Sequence, residues 1–187
     1  MTSFYDTREW KIGDAAQTEW ARIVADKGGV VLPTYGMDDV TDETKAPVVF
    51  TKDGVLVAPD LAVVRSGKMK WNDVKAKSQP SWYRKLRRWE HGCDYSIACE
   101  YNEVQVASGC PVYIIVHELK SPADPDADSE LVLSSKWMFV LLDNIFADKN
   151  RRRDWPGGKS NPSRRGRKKQ GGLIWGRNEM TEFNTKV

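Results

Sequence analysis

The stretch VLVAPDLAVVRSGKMKWNDVKAK, residues 55–77, constrains this chain more than any other. Apolar and β-branched residues fill both halves, and Ser66-Gly67-Lys68 supplies a turn between them, so the stretch reads as two paired strands. Successive side chains along a strand point to opposite faces. Trp71, Asp73, Lys75 and Lys77 therefore share one face, and Asn72, Val74 and Ala76 share the other. Strands are depleted in aspartate, so Asp60 and Asp73 among runs of Val, Leu and Ala need a reason. An antiparallel neighbour bearing Asp60 can bring its carboxylate beside that of Asp73. Adjacent carboxylates repel, and a divalent cation is the usual remedy: Mg²⁺ takes oxygen ligands and binds through one or two carboxylates plus substrate phosphates. A lysine beside such an ion, here Lys75, suits the orientation of a water and the stabilisation of charge in phosphodiester hydrolysis.

Pro59-Asp60, a gap of 12 residues and then Asp73-Val74-Lys75 resemble the PD-(D/E)xK signature of the restriction-endonuclease-like nuclease superfamily. With its flanking helices the resemblance covers roughly residues 14–118. A looser similarity extends to small phage-type and Holliday-junction-resolvase-like members. The resemblance implies an α/β fold with a restriction-endonuclease-like core, a central mixed β-sheet flanked by helices in α-β-β-β-α-β order. It implies Mg²⁺ or Mn²⁺ held by Asp60, Asp73 and the backbone carbonyl of Val74, with Lys75 assisting the attacking water and Lys77 touching a neighbouring phosphate. Relatives often take a further acidic ligand from the first helix, which makes Glu19 either that ligand or a solvated helix residue. They often keep a polar residue of the later helix near the site, which makes Gln105 a candidate. DNA is the implied substrate, and many relatives act as homodimers. The competing readings are a nucleic-acid-binding module of the same fold without chemistry, and a structural or regulatory phage-type protein whose basic segment binds RNA or a protein.

A length of 187 residues suits one domain with a substantial core. Residues 1–150 are expected to form the nuclease-like core, and 151–187 a basic loop and terminal strand of the same domain. No apolar run reaches bilayer-spanning length, and MTSFYDTREW lacks a signal-peptide pattern. Cys93, Cys99 and Cys110 have no CxxC spacing, so a reduced, cytoplasmic protein is expected, including a phage product acting in a host cell. The net charge of +3 conceals an asymmetry. Residues 151–187 carry 11 Lys/Arg against 3 Asp/Glu, a net of +8, and the rest carries 18 against 23, a net of −5. A polyanion would be drawn to the basic end, so nucleic acid fits better than a membrane.

Asp14 to Lys27 reads as a helix capped by Asp14, with an Ala16/Trp20/Ile23/Val24 stripe and a stop at Gly28-Gly29. Val30–Leu32 is a short extended piece. PVVFT, at 47–51, is a strand followed by the Lys52-Asp53-Gly54 turn, so the sheet would begin as an antiparallel meander. Ser78 to Glu90 reads as a second helix with Pro80 near its start; Trp82, Leu86 and Trp89 face the core. Arg84, Lys85, Arg87 and Arg88 cover the rest, either as a solvated face or, for Arg84 and Arg88 especially, as phosphate contacts. His91 ends this helix, as a phosphate or proton-transfer group or a structural residue. A third helix spans about Ser96–Ser108 with Asp94 as its cap. PVYIIVHEL, at 111–119, is a buried strand beside the catalytic one, with His117 and Glu118 at its end, close to the metal or facing solvent. Leu131–Phe146 is a strand turning into a helix from about Ser135. SRRGRKKQGG has no core-forming capacity, and Arg164, Arg165, Arg167, Lys168 and Lys169 are candidate phosphate contacts. Leu173–Trp175 is a terminal strand that docks back.

Overall fold

The computed structural model describes residues 8–34, 48–52, 54–77, 79–146, 152–153 and 171–185. The chain opens with helix α1 (Arg8–Asp26) and passes through β1 (Val30–Pro33), β2 (Val48–Thr51), β3 (Gly54–Val57), β4 (Leu61–Arg65), β5 (Lys68–Lys77), β6 (Ser81–Tyr83) and β7 (Arg88–Asp94). Helix α2 (Tyr95–Ser108), β8 (Val112–Pro122), β9 (Leu131–Leu141), α3 (Leu142–Phe146), β10 (Arg152–Arg153), β11 (Gly172–Gly176) and β12 (Thr181–Phe183) follow. A six-stranded mixed sheet runs in the order β1-β4-β5-β8-β9-β12. Its central elements α1, β1, β4, β5, α2 and β8 keep the expected α-β-β-β-α-β order. The hairpins β2–β3 and β6–β7 are inserted into it.

The paired stretch seen in the sequence is β4–β5, joined antiparallel from Leu61↔Asn72 to Arg65↔Lys68. Ser66 (φ 50°) and Gly67 (φ 72°) form its tip, the left-handed pair that a tight hairpin requires. β5 then pairs parallel with β8, Trp71↔Val112 to Lys77↔Glu118, because β6, β7 and α2 provide the long crossover that parallel strands need. The sheet is covered on both faces. On one, Ala16, Trp20 and Val24 of α1 pack on Leu61, Val63, Val74, Ile115 and Trp137. On the other, Ala98, Tyr101 and Val104 of α2 meet Ala62, Trp71, Ile114, Val116, Met138 and Val140, joined by Leu173 and Trp175 of β11.

Several expectations are corrected. α1 begins at Arg8 and runs through Gly13, so Asp14 lies inside the helix and caps nothing. β2 and β3 form a separate two-stranded sheet. The strand beside β4 is instead β1, so the sheet does not begin as a meander. Residues 79–90, expected to form a second helix, are not helical. Trp82 and Trp89, whose seven-residue spacing imitates a helical stripe, are cross-strand partners of a β6–β7 hairpin with rings 5.3 Å apart. β7 also pairs antiparallel with β11, 80 residues on, giving a second sheet β10-β11-β7-β6. The terminal strand thus docks back as expected. β9 remains a strand to Leu141, with only Leu142–Phe146 helical, because it pairs with β8 along most of its length. Its apolar residues face both covered sides of the sheet: Trp137 lies in one cluster, Met138 and Val140 in the other.

Glu118 fastens the two sheets together. Its side chain is fully buried at the end of the β5–β8 pairing. Arg177, in a 3₁₀ turn after β11, donates through Nε to Oε1 (3.1 Å) and Oε2 (3.0 Å) and through Nη2 to Oε1 (3.0 Å). His91 Nε2 lies 2.9 Å from Oε2, and Ser121 Oγ donates to Oε1. His91 and Glu118 are therefore structural, and Glu118 does not face solvent. Nor does His117, which is buried and stacked on Trp137 at 4.1 Å. Burial alone would raise the Glu118 carboxyl, but the bonds from His91, Arg177 and Ser121 outweigh it and hold it at about 2.

A depressed acid stabilises the fold above its unfolded value and loses that contribution as pH falls. Between pH 4.5 and about 2 the protein should lose about 3 kcal/mol through this group. Urea unfolding across that range should show the loss, and Glu118→Gln should flatten it. Arg177→Ala, which strands a buried carboxylate, should cost roughly 3–5 kcal/mol at pH 7.

Candidate active site

β5 outruns its antiparallel neighbour. β4 pairs only as far as Leu61↔Asn72, whereas β8 follows β5 to Lys77. Beyond Asn72 one side of β5 is thus open toward the start of β4, where Pro59-Asp60 precedes the strand. Asp60 fills the next rung with its side chain, Oδ2 accepting from Val74 N–H at 2.7 Å. Thr34, just past β1, fixes the backbone there: its hydroxyl donates to the carbonyls of Pro59 (2.8 Å) and Asp60 (2.7 Å), and its N–H to that of Asp60 (3.0 Å). A strand residue directs its N–H and C=O to the same side, so the Val74 carbonyl also points into the opening.

Asp73 is fully buried on the α2 face of β5. Its Oδ1 accepts from Lys75 Nζ at 2.7 Å and from the Tyr101 hydroxyl of α2 at 2.7 Å. Its Oδ2 is buried without a hydrogen-bond partner. Asp60, also buried, is close enough that burial first, then the charge of Asp73, and last a hydrogen bond between the two carboxyls when Asp60 is protonated, push its carboxyl up to about 7, against the pull of Lys75 and the Val74 N–H. Burial would lower the Lys75 ammonium, but Asp73 and Asp60 reverse that and raise it, so it stays charged.

Next to this group a pocket of about 250 Å³ is lined by Lys75, Lys77, Gly92, Cys93, Asp94 and Ile97. Burial, then Lys75, lowers the Lys77 ammonium. Burial, then Asp73, pushes the Cys93 thiol up to about 12, so it is a neutral wall and not a nucleophile.

Asp60, Asp73, Val74, Lys75 and Lys77 are thus brought together. Other candidates are not. Glu19 is exposed on α1, the helix over the opposite face, where its charge acts on His117. α1 packs through Ala16, Trp20 and Val24, which turns Glu19 away from the aspartate pair. Gln105 is committed to the fold, Nε2 donating to Asp143 at 2.5 Å and Oε1 accepting from Val112 N–H at 2.8 Å. Arg88 is tied to Glu90 (2.9 Å) and Glu179 (3.3 Å). Arg84 is exposed at the β6–β7 tip. Arg164, Arg165, Arg167, Lys168 and Lys169 lie outside the described residues. Tyr101 is the site residue the sequence reading left without a role. Its only signal was its place on the buried stripe of α2, which a core tyrosine shares.

Among the described residues no group of three or more His, Cys, Asp and Glu could hold a metal ion. The donors present are two carboxylates and one carbonyl. That set fits Mg²⁺, which usually keeps several waters and takes one or two protein carboxylates. When both acids are ionised, Asp73 Oδ2 has no donor, and a cation between the two carboxylates would satisfy it.

No protein-family profile matches the chain, and no curated protein matches its sequence. Among solved structures it is similar to Hjc, a Holliday junction resolvase from the archaeal hyperthermophile Archaeoglobus fulgidus. The identity is 10%, the match covers 73% of this chain and 83% of that one, and the TM-score is 0.44. What the site does is therefore argued from this chain's own residues.

Because two buried acids compete for one ammonium, Asp60→Asn should stabilise the metal-free protein at pH 8, by about 1–3 kcal/mol. The gain should shrink toward pH 5, where the wild-type pair already holds a proton. Thermal unfolding in EDTA at both pH values measures it.

Proposed function

We propose that this protein is a divalent-metal-dependent nuclease that hydrolyses DNA phosphodiester bonds, cutting within strands. The observation that carries the reading is the convergence of two buried aspartates at an open strand edge, one with a partnerless oxygen, and a lysine 2.7 Å from the other oxygen of that same aspartate.

Asp60, Asp73 and the Val74 carbonyl are the residues that would hold Mg²⁺ or Mn²⁺. When bound, such an ion lowers the pKa of a coordinated water and neutralises charge on the scissile phosphate. The chain's own groups do the rest. Lys75 stays protonated and lies on the same face as Asp73, so it can orient the attacking water and stabilise the added negative charge. Tyr101 fixes the rotamer of Asp73 from α2, which makes it a positioning residue. Lys77, in the adjoining pocket, is placed for a neighbouring phosphate oxygen, whose charge would offset the burial that lowers its ammonium. Arg84 is retained as a more distant phosphate contact. Glu19, Gln105 and Arg88 take no part, for the reasons given above. Arg164, Arg165, Arg167, Lys168 and Lys169, outside the described residues, remain candidates for backbone contacts by composition alone.

The reading is tested by incubating the full chain with linear, nicked, branched and single-stranded DNA, with Mg²⁺, Mn²⁺ or EDTA. Metal-dependent cleavage is expected. Asp73→Asn and Lys75→Ala should each reduce it by at least about 10²-fold while duplex binding in EDTA survives. Tyr101→Phe should lower the rate about 10-fold with little change in affinity for DNA, since it acts only through Asp73. A wild-type protein that binds DNA but never cuts with either ion would leave the alternative, a nucleic-acid-binding module of the same fold.

A further inference from the structure

The β6–β7 tip takes no part in the edge built by Asp60, Asp73 and Lys75, yet the hairpin that carries it is firmly held. Trp82 and Trp89 pack edge to face at 5.3 Å, Trp89 Nε1 donates to the Ala127 carbonyl at 2.8 Å, and β7 is paired along Glu90–Asp94 with β11. Arg88, on the rung next to the turn, is anchored to Glu90 and Glu179. The tip Arg84-Lys85-Leu86-Arg87 is a compact turn, with Leu86 N–H donating to Tyr83 C=O (3.2 Å) and Arg87 N–H to Arg84 C=O (3.3 Å). Arg87 sits at φ 48°, a conformation rare for a non-glycine residue outside a built turn. All four tip residues are exposed, and Leu86 is 52% accessible. Among the described residues Arg84, Lys85 and Arg87 make no ion pair. An apolar side chain thrust into solvent within three unpaired cations has little stabilising value for the fold. It is the arrangement that protein wedges use against duplexes, cations on the phosphates and an apolar side chain between base steps.

We propose that the Arg84–Arg87 tip is a DNA wedge, its three cations clamping phosphates across a groove while Leu86 enters the stack and opens a base step. Charge complementarity names a polyanion, and the single projecting leucine favours a duplex, whose stacked bases give it an apolar slot. The pocket beside Lys75 opens at Gly92, Cys93 and Asp94 of the same strand. With a strand rise of about 3.3 Å, Leu86 is roughly 20 Å from Cys93. A duplex advances about 3.4 Å per base pair, so a molecule lying along β7 would be opened about six base pairs from the pocket. The proposal rests on the DNA reading above but not on its chemistry.

The test uses the full chain in EDTA with short duplexes carrying 2-aminopurine at successive positions, read by emission and by anisotropy over a salt series. The wild type should raise emission at one or two neighbouring positions. Leu86→Ala should return emission to that of free duplex, a several-fold drop, with the salt dependence of binding unchanged. The triple variant Arg84→Gln/Lys85→Gln/Arg87→Gln should flatten the slope of log K against log salt by about 2–3. Leu133→Ala, which removes a leucine 87% exposed elsewhere, should change neither. Circular dichroism checks that each variant is folded. Emission that never rises, or that rises equally with Leu86→Ala, overturns the wedge. So does a triple variant with wild-type slope, or one that changes sedimentation instead, which would assign the tip to a second copy. If Asp73-dependent cleavage survives such a result, only the wedge is lost. If the full chain binds no DNA at all, the DNA reading fails with it.

Discussion

Where β4 runs out, the sheet is continued by one side chain: the Asp60 carboxylate accepts the Val74 N–H that a backbone carbonyl would otherwise take. That substitution has a chemical consequence. A carboxylate used as a ladder rung must lie in the sheet edge, and its neighbour on β5 is Asp73, so two acids are buried side by side. Thr34 grips the Pro59–Asp60 backbone from the end of β1, which leaves the pair little room to separate. Lys75 and Tyr101 both act on one oxygen of Asp73 and leave the other without a partner. The fold thus tolerates a strained electrostatic state at an open edge. Such states collect at functional sites because they are relieved by what the site binds.

Two buried acids of the same chain show how local donors decide the outcome. Asp60 is pushed up to about 7, and Glu118 is held down at about 2. Both are buried, so burial alone pushes both upward. Glu118 is surrounded by Arg177, His91 and Ser121, all donors or cations. Asp60 has one backbone N–H and a more distant ammonium, set against a second carboxylate. Glu118 can therefore serve as a fastener between sheets, while Asp60 holds an unfavourable charge at the sheet edge. On physical grounds the roles are not exchangeable.

Which parts of this were legible in the sequence follows from the range of the interactions. The β4–β5 pair, its Ser66-Gly67 tip and the shared face of Asp73, Lys75 and Lys77 depend on alternation and turn chemistry, which are local. The apolar run of β8 showed a buried strand, and the intervening helix made it parallel. The β6–β7 hairpin was hidden because Trp82 and Trp89 fit a helical stripe as well as a cross-strand pair. The partner that settles the choice, β11, lies 80 residues on. β9 was misread past Ser135 for a related reason: a strand covered on both faces loses the alternation that separates it from a helix. Glu19, exposed as a solvated helix residue would be, shows a different limit. The stripe of α1 correctly showed which residues are buried, but nothing in a helix states which face of a sheet it will cover. The long-range bonds from Tyr101 to Asp73 and from Arg177 to Glu118 have no sequence signal at all.

The basic residues separate by the company they keep, and the separation does not follow their density in the sequence. Arg87 and Arg88 are adjacent, yet strand geometry sends Arg88 back to Glu90 and Glu179 and leaves Arg87 on the turn. Arg177 is spent entirely on Glu118. A cation already paired with a carboxylate gains little from a phosphate, because each new contact must first break the old one. An unpaired exposed cation makes that contact with full release of the counterions on the nucleic acid. Lys75 is the intermediate case, since its partner Asp73 is the residue a metal would claim. In the proposed nuclease, a cation held by Asp73 would loosen that pair and leave the Lys75 ammonium for a phosphate. The ion pair between them, at 2.7 Å, keeps the ammonium at the open edge of the sheet.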